Sequence, residues 1–307
     1  MKFYVGVTDD TWLAYLAALQ PDEINFWRPG GGRSFRAIEP GAPFLFKLRS
    51  PRNVIVGGGF FLRHSLLPLS LAWEAFEQRN GAPSRAELAR LVNSHRANPE
   101  DDPMIGCTIL TAPFFIPEGN WVSVPADWQP NIVQGKTYDT DERNGADLWK
   151  NVLARLLLTN AASAAATLVR EESARYGTPF LTTARLGQGA FRILVTEAYS
   201  RRCAITGERT LPVLEAAHIK PFAENGPSEL PNGLLLRSDL HILFDKGYLT
   251  ITPDHRVNVS KSIRERFANG REYYRMHGNP LASLPANPAE QPCPVYLEWH
   301  NENRFLR

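Results

Sequence analysis

Nowhere in its 307 residues does the chain hold an apolar run approaching the roughly 18 residues that a membrane helix needs, so no membrane partner is expected. The opening segment, MKFYVGVTDDTW, lacks a charged stretch followed by an apolar core and a small-residue cleavage site, so no secretion signal is expected either. Cysteine is scarce. Cys107, Cys203 and Cys293 are odd in number and far apart, which argues against a disulfide framework and for a cytoplasmic location. Neither sign of charge is in excess, the net charge being +2. A protein that binds a polyanion draws most of its affinity from neutralising it, so any such surface here must be a local patch that the total conceals. Internal repeats are also absent.

What is present is a folded, mixed α+β chain. Its hydrophobic content is 43%, its 24 prolines are spread throughout, and its length suits two domains of about 150 residues each. Residues 1–136 alternate between the two secondary structures. Helices are expected over 10–19 and 68–79, and another after Ser84, whose partner Glu87 three positions on completes a capping-box pattern. Extended segments are expected over 43–49, 53–61 and 104–116, with Gly57, Gly58 and Gly59 marking a bulge or a close backbone approach. Residues 137–186 read as a helical linker, first amphipathic, then Ala-rich after a break near Asn160. Residues 187–307 form a second domain. It should hold a helix running into Cys203, a strand near 212–217, a Gly/Pro/Asn-rich loop over 221–233 and a helix over 236–246. A hairpin around Asp254, a helix over KSIRERFANGREYY and a tail packed back on the domain should follow.

Residues 215–247, EAAHIKPFAENGPSELPNGLLLRSDLHILFDKG, carry the chemistry. His218 leaves an apolar strand, Asn232 lies in the following turn and His241 lies on a helix, 14 and then 9 positions apart. Such a strand–strand–helix trio can hold one metal ion and one water against a phosphodiester. Hydrolysis of that bond needs a water, a base and positive charge on the phosphate. A neutral imidazole suits the base, because its pKa lies near working pH. His218 can serve there, Asn232 can orient the imidazole or the loop, and His241 can bind the metal. Asp245, at i+4 from His241, shares its helix face and reads equally as an oxygen ligand or as a helix cap before Gly247. Asn-Gly at 232–233 is also an ordinary turn signal. Lys220, Arg237 and Lys246 lie near enough in sequence to contact phosphates.

With its AAHI strand and NGLLL…DLHxLFDxG helix, this region resembles the HNH, or ββα-metal, endonucleases, and the flanking GQGAFR, RRCAITG and GYLTITP agree. The resemblance covers about 187–307. It implies His218 as general base, Asn232 as the middle asparagine, His241 as metal-binding histidine, and a divalent ion such as Mg²⁺ or Mn²⁺. Two departures stand out. The position before the base, often a metal ligand in this family, is Ala217, which leaves Asp245, Glu215 or water to fill the gap. Paired CxxC motifs are missing: Cys203 is followed by Thr206 where a second cysteine would fall, so a structural zinc is not expected and Cys203 reads as core.

In the first half, the segment from Glu23 to Phe61, with an aromatic-plus-basic turn, a Pro40–Gly41 turn and two strands ending in glycines, resembles the PUA-like superfamily more loosely. That resemblance implies a β-barrel-type domain that reads modified bases, with Trp27 and Arg28 at one wall of the site. The alternative is that Trp27, Phe44, Phe46, Phe60 and Phe61 fill a small barrel core. The expectation is therefore a metal-dependent DNA endonuclease of restriction or defence type, directed to modified DNA by its first domain, with room for a homodimer. Against it stand a nucleic-acid-binding protein with a decayed nuclease fold and an RNA-directed nuclease.

Overall fold

The computed structural model describes residues 1–30, 35–158 and 186–307. The chain divides into two compact units, Met1–Ala184 and Arg185–Arg307.

The first unit runs β1 (Lys2–Thr8), α1 (Asp10–Leu19), β2 (Glu23–Arg28), β3 (Pro43–Leu48), β4 (Val54–Pro68), α2 (Leu69–Phe76), α3 (Arg85–Asn93), β5 (Met104–Phe115), β6 (Val122–Ser123), β7 (Gly135–Asp139) and α4 (Arg143–Leu158). One seven-stranded sheet follows the order β2-β5-β4-β3-β1-β7, with β6 beside β4. Only β1 and β3 run parallel. Among the described residues no pairing joins β2 to β7, so the sheet is open where a barrel would close.

Both faces of this sheet are covered, which explains the apolar run Pro43–Phe46 of β3. Phe44, Phe46 and Leu48 pack with Trp12, Leu13 and Leu16 of α1 on one side. Leu45 joins Phe3, Val5 and the α4 residues Leu148, Val152 and Leu156 on the other. The expected bridge therefore begins inside β7, and its first helix completes the core of the first unit; the Ala-rich run after Asn160 lies outside the described residues. The pairing of β4 with β5 slips between Gly58 and Phe60. A Cβ on Gly57 would overlap the carbonyl oxygen of Phe114, so bulge and close approach coincide here. The capping box forms only by half. Ser84 Oγ accepts from the Glu87 N–H at 3.2 Å, while the Glu87 carboxylate turns to Arg90 instead.

The second unit runs α5 (Gln188–Ala198), β8 (Leu214–His218), β9 (Gly233–Arg237), α6 (Ser238–Asp245), β10 (Leu249–Ile251), β11 (Val257–Val259), α7 (Ser262–Phe267), α8 (Arg271–Tyr274) and α9 (Pro294–Asn303). The antiparallel pair β8–β9 and α6 make the ββα unit, and β10–β11 the hairpin. Leu236 and Arg237, expected at the start of the helix, pair instead with Glu215 and Leu214 in the strand ladder. The single helix expected over KSIRERFANGREYY is two. Ala268 and Gly270 adopt positive φ (50° and 113°), which no continuing helix allows. The tail does pack back: Leu297 joins the core formed by Phe191, Leu235, Leu240 and Phe244.

Candidate functional site

A cavity of about 350 Å³ in the second unit brings together His218, Phe222, His241, Asp245, His300 and Arg304. His218 closes β8. Its ring stacks on Phe191, with centroids 3.9 Å apart and planes 12° from parallel, and its Nε2 lies 3.3 Å from Ser228 Oγ. Burial, and then the neighbouring charge of His241, hold the His218 pKa below the ordinary histidine value. The ring is thus neutral at pH 7, the form in which it can take a proton.

Asn232 is fully buried and bonds to the loop, and among the described residues no hydrogen bond joins its side chain to His218. Its Oδ1 accepts from the Lys220 N–H at 2.8 Å, and its Nδ2 donates to the carbonyls of Lys220 (2.9 Å) and Pro227 (2.8 Å). These three bonds close the turn that follows His218. Gly226 lets the turn fold this tightly, since a Cβ there would overlap the Lys220 carbonyl.

His241 sits between two carboxylates. Its Nδ1 is 2.6 Å from Glu215 Oε2 and its Nε2 is 3.4 Å from Asp245 Oδ2. Burial alone would raise the Glu215 pKa, but hydrogen bonds from His241 and Ser238, with the charges of His241 and Arg192, outweigh it and hold the carboxyl low. Asp245 is shifted the other way: burial raises its pKa against the opposing pull of His241 and Arg304.

The two nitrogens of one imidazole point apart, so both carboxylates cannot share one ion with His241. Glu215 orients the ring through Nδ1, as carboxylates commonly do behind metal-binding histidines. That leaves Nε2 and Asp245 on the cavity side. One imidazole nitrogen and carboxylate oxygen suit a divalent cation completed by water and phosphate oxygens. Among the described residues, no group of three His, Cys, Asp or Glu is arranged to hold an ion by itself. Ala217 is fully buried in the core, and no donor stands at that position.

The expected basic contacts fare differently from one another. Lys220 places its ammonium over the Trp299 ring, 5.5 Å from the centroid. Arg237 is forked onto Asp239 (2.6 and 2.8 Å) and so largely neutralised. Lys246 is exposed but does not line the cavity. Cys203 is a buried, free thiol whose sulfur accepts from the Arg237 N–H at 3.4 Å. Its turn is closed by backbone bonds, Cys203 N–H to Glu208 and Gly207 N–H to Cys203.

Arg304 and His300, one helical turn apart, come from the tail and were not read as site residues. Arg304 lies over Trp299 and 3.5 Å from Glu224. Gly247 admits the tail: it has φ 74°, and a Cβ there would overlap the carbonyl of Arg304. His300 is buried against Phe244 (3.8 Å, 9°), its Nε2 3.1 Å from the Phe244 carbonyl and its Nδ1 2.8 Å from Thr250 Oγ1. Burial pushes its pKa down to about 4. Between pH 6.5 and 4 the unfolded chain binds a proton at this residue that the folded chain refuses. Stability from His300 is therefore complete above pH 6.5 and lost as the pH falls to 4, by about 3 kcal/mol. Urea denaturation across this range should show the fall in the wild-type chain and a shallower one in His300→Gln.

Residues 203–252 match the family model of the HNH endonucleases. That stretch contains Asn232 and His241 together with His218, and it is less than half of the chain. Solved structures similar to the chain include ASCH from Zymomonas mobilis, 10% identical with a TM-score of 0.35, over 50% of this chain and 94% of that one. The modification-dependent restriction endonuclease TagI is 16% identical with a TM-score of 0.28, over 92% of this chain and 75% of that one. No curated protein matches the chain. Among the described residues no helix is long and apolar enough to cross a membrane.

The first unit has a larger cavity, of about 680 Å³, and both Trp27 and Arg28 line it, with Asp9, Trp12, Arg49 and His95 among the others. Trp27 and Trp12 both donate their indole N–H to the carbonyl of buried Asn80 (2.9 and 3.2 Å), which fixes the two rings. Arg28 donates to Tyr4 Oη at 3.0 Å and lies over the Tyr4 and Phe35 rings. Phe44, Phe46, Phe60 and Phe61 are core instead, as the alternative reading held.

Proposed function

We propose that the chain is a metal-assisted endonuclease of restriction type, in which the second unit cuts DNA and the first selects modified targets. The observation that carries this reading is the single cavity holding His218, His241, Asp245 and Arg304, within and beside the HNH match. With Ser228 accepting from Nε2–H, His218 keeps its lone pair on Nδ1 and takes the proton of the attacking water. Asn232 fixes the turn that follows the base. His241 Nε2 and Asp245 would hold a Mg²⁺ or Mn²⁺ ion, with Glu215 keeping the imidazole in the required tautomer. When bound, the ion supplies charge stabilisation for the phosphate and the leaving oxygen. Arg304 adds a guanidinium fitted to phosphate oxygens from the opposite element.

The first cavity has the aromatic walls and polar groups that hold a base extruded from the duplex. DNA libraries carrying different cytosine and adenine modifications test this directly. One modified set should be cut at least about tenfold faster than unmodified DNA, a preference worth about 1.4 kcal/mol. Trp27→Ala should erase the preference while leaving the basal rate of cutting in place. Equal cutting of every library by the wild-type chain would remove the selective role of the first unit.

One observation favours a second reading, a nucleic-acid-binding protein with an inactive HNH fold: the position before the base is a buried alanine. Retained binding with no cutting of DNA or RNA in either Mg²⁺ or Mn²⁺ would decide for it. Cutting confined to RNA would reassign the substrate.

A further inference from the structure

We infer that the second unit carries a separate phosphate-backbone site, the hollow lined by Arg264, Arg271 and Arg275, which grips duplex DNA away from the cutting cavity. This rests on the reading of the chain as a DNA-cutting protein. The hollow measures about 570 Å³ and is completed by Ala268, Asn269 and Tyr274. None of these residues lines the cavity of His218 and His241.

Three observations point to a polyanion. Three arginines elsewhere in this unit are held by nearby acids: Arg201 by Glu197, Arg237 by Asp239 and Arg256 by Asp254. Arg264 and Arg271 have no ion pair among the described residues, and Arg275 meets only its helix neighbour Glu272 at 2.9 Å. Secondly, residues 261–275 hold five basic side chains against two acidic ones, a larger excess than the net +2 of the whole chain. The local patch that the total conceals is here.

Thirdly, the arginines are displayed from a fixed frame. Tyr274 Oη donates to the carbonyl of Ser260 at 2.9 Å and accepts from the N–H of Arg264 at 3.0 Å, which ties α8 to the start of α7. The positive-φ break at Ala268 and Gly270 then turns the chain so that Arg264 and Arg271 line the same hollow. Tyr273 Oη reaches Asp239 at 3.4 Å, on the helix that carries His241, so the frame is continuous with the cutting element. A guanidinium presents a planar fork to phosphate oxygens, and two unpaired forks with a third shared with exposed Glu272 around one concavity suit successive phosphates better than one small anion.

The test is the salt dependence of binding of a DNA duplex by the full chain, with cleavage suppressed by omitting divalent metal. Each phosphate contact contributes a slope of about −0.9 in log affinity against log salt. The single variants Arg264→Gln, Arg271→Gln and Arg275→Gln should each reduce the slope by about one. The triple variant should reduce it by two to three and weaken binding about 10- to 100-fold near 0.15 M salt. With Mg²⁺ restored, kcat at saturating DNA should stay within about twofold, because the hollow does not touch the scissile phosphate. The side chains are exposed, so the singles should fold even if the triple does not. Slopes unchanged in the single variants, with the wild-type chain binding DNA, overturn this site alone. Failure of the wild-type chain to bind DNA overturns the underlying reading and this site with it.

Discussion

His218→Ala is expected to leave a chain that binds DNA normally and cuts it about 10²- to 10⁴-fold more slowly, the range lost when a general base is removed. The loss should fall on kcat, since His218 acts on water and not on the bound duplex. Its pKa lies below the ordinary histidine value through burial and the charge of His241, so the wild-type rate should be flat at neutral pH. It should decline only once the pH drops below about 6.5, where an unperturbed histidine would already be half protonated. A rate profile that falls off well above that value, or a His218→Ala chain cutting at the wild-type rate, would remove His218 from the proton transfer. Melting should be measured alongside, because the ring also stacks on Phe191.

Asn232→Ala should damage stability and cleavage together. The substitution strips partners from one N–H and two carbonyls of the turn. An unmade bond of this kind costs about 1–3 kcal/mol, and partial hydration of the freed groups brings the total to about 2–4 kcal/mol. In the second unit that corresponds to a fall in Tm of roughly 8–16 °C. Cleavage should drop because Lys220 and Phe222, in the turn after the base, lose their fixed positions. Asn232→Asp should be no milder, since an anionic oxygen would then face the carbonyls of Lys220 and Pro227. If Asn232→Ala melted like the wild-type chain while cleavage vanished, the side chain would be acting on the substrate and not on the loop.

Much of the second unit was legible because its signals are local. His218 at a strand end, Asn-Gly in a turn and His241 on an amphipathic helix each follow from a few neighbouring residues. The limits of α6 were harder to read, because Leu236 and Arg237 suit helix and strand alike and only pairing with Leu214 and Glu215 decides. Glu215 and Asp245 were both legible as acids near His241. Which nitrogen each would meet depends on the crossing of β8 and α6, and no spacing encodes that.

Arg304 was out of reach for a stronger reason. It stands 86 positions after His218, and only the packing of Leu297 and the opening left by Gly247 bring it to the cavity. In the first unit, the dominance of apolar and aromatic residues marked β3 and the first half of β4, which runs on past the expected end at 61 to Pro68. The open sheet could not be foreseen, since closure depends on which edge strands find partners.

The tail has one more consequence. The recognisable stretch ends at residue 252, yet one wall of the cavity is built from His300 and Arg304. A fragment trimmed to the familiar motif would therefore keep its signature residues and lose one wall of this cavity. Negative assays of such a fragment would say nothing about the intact protein.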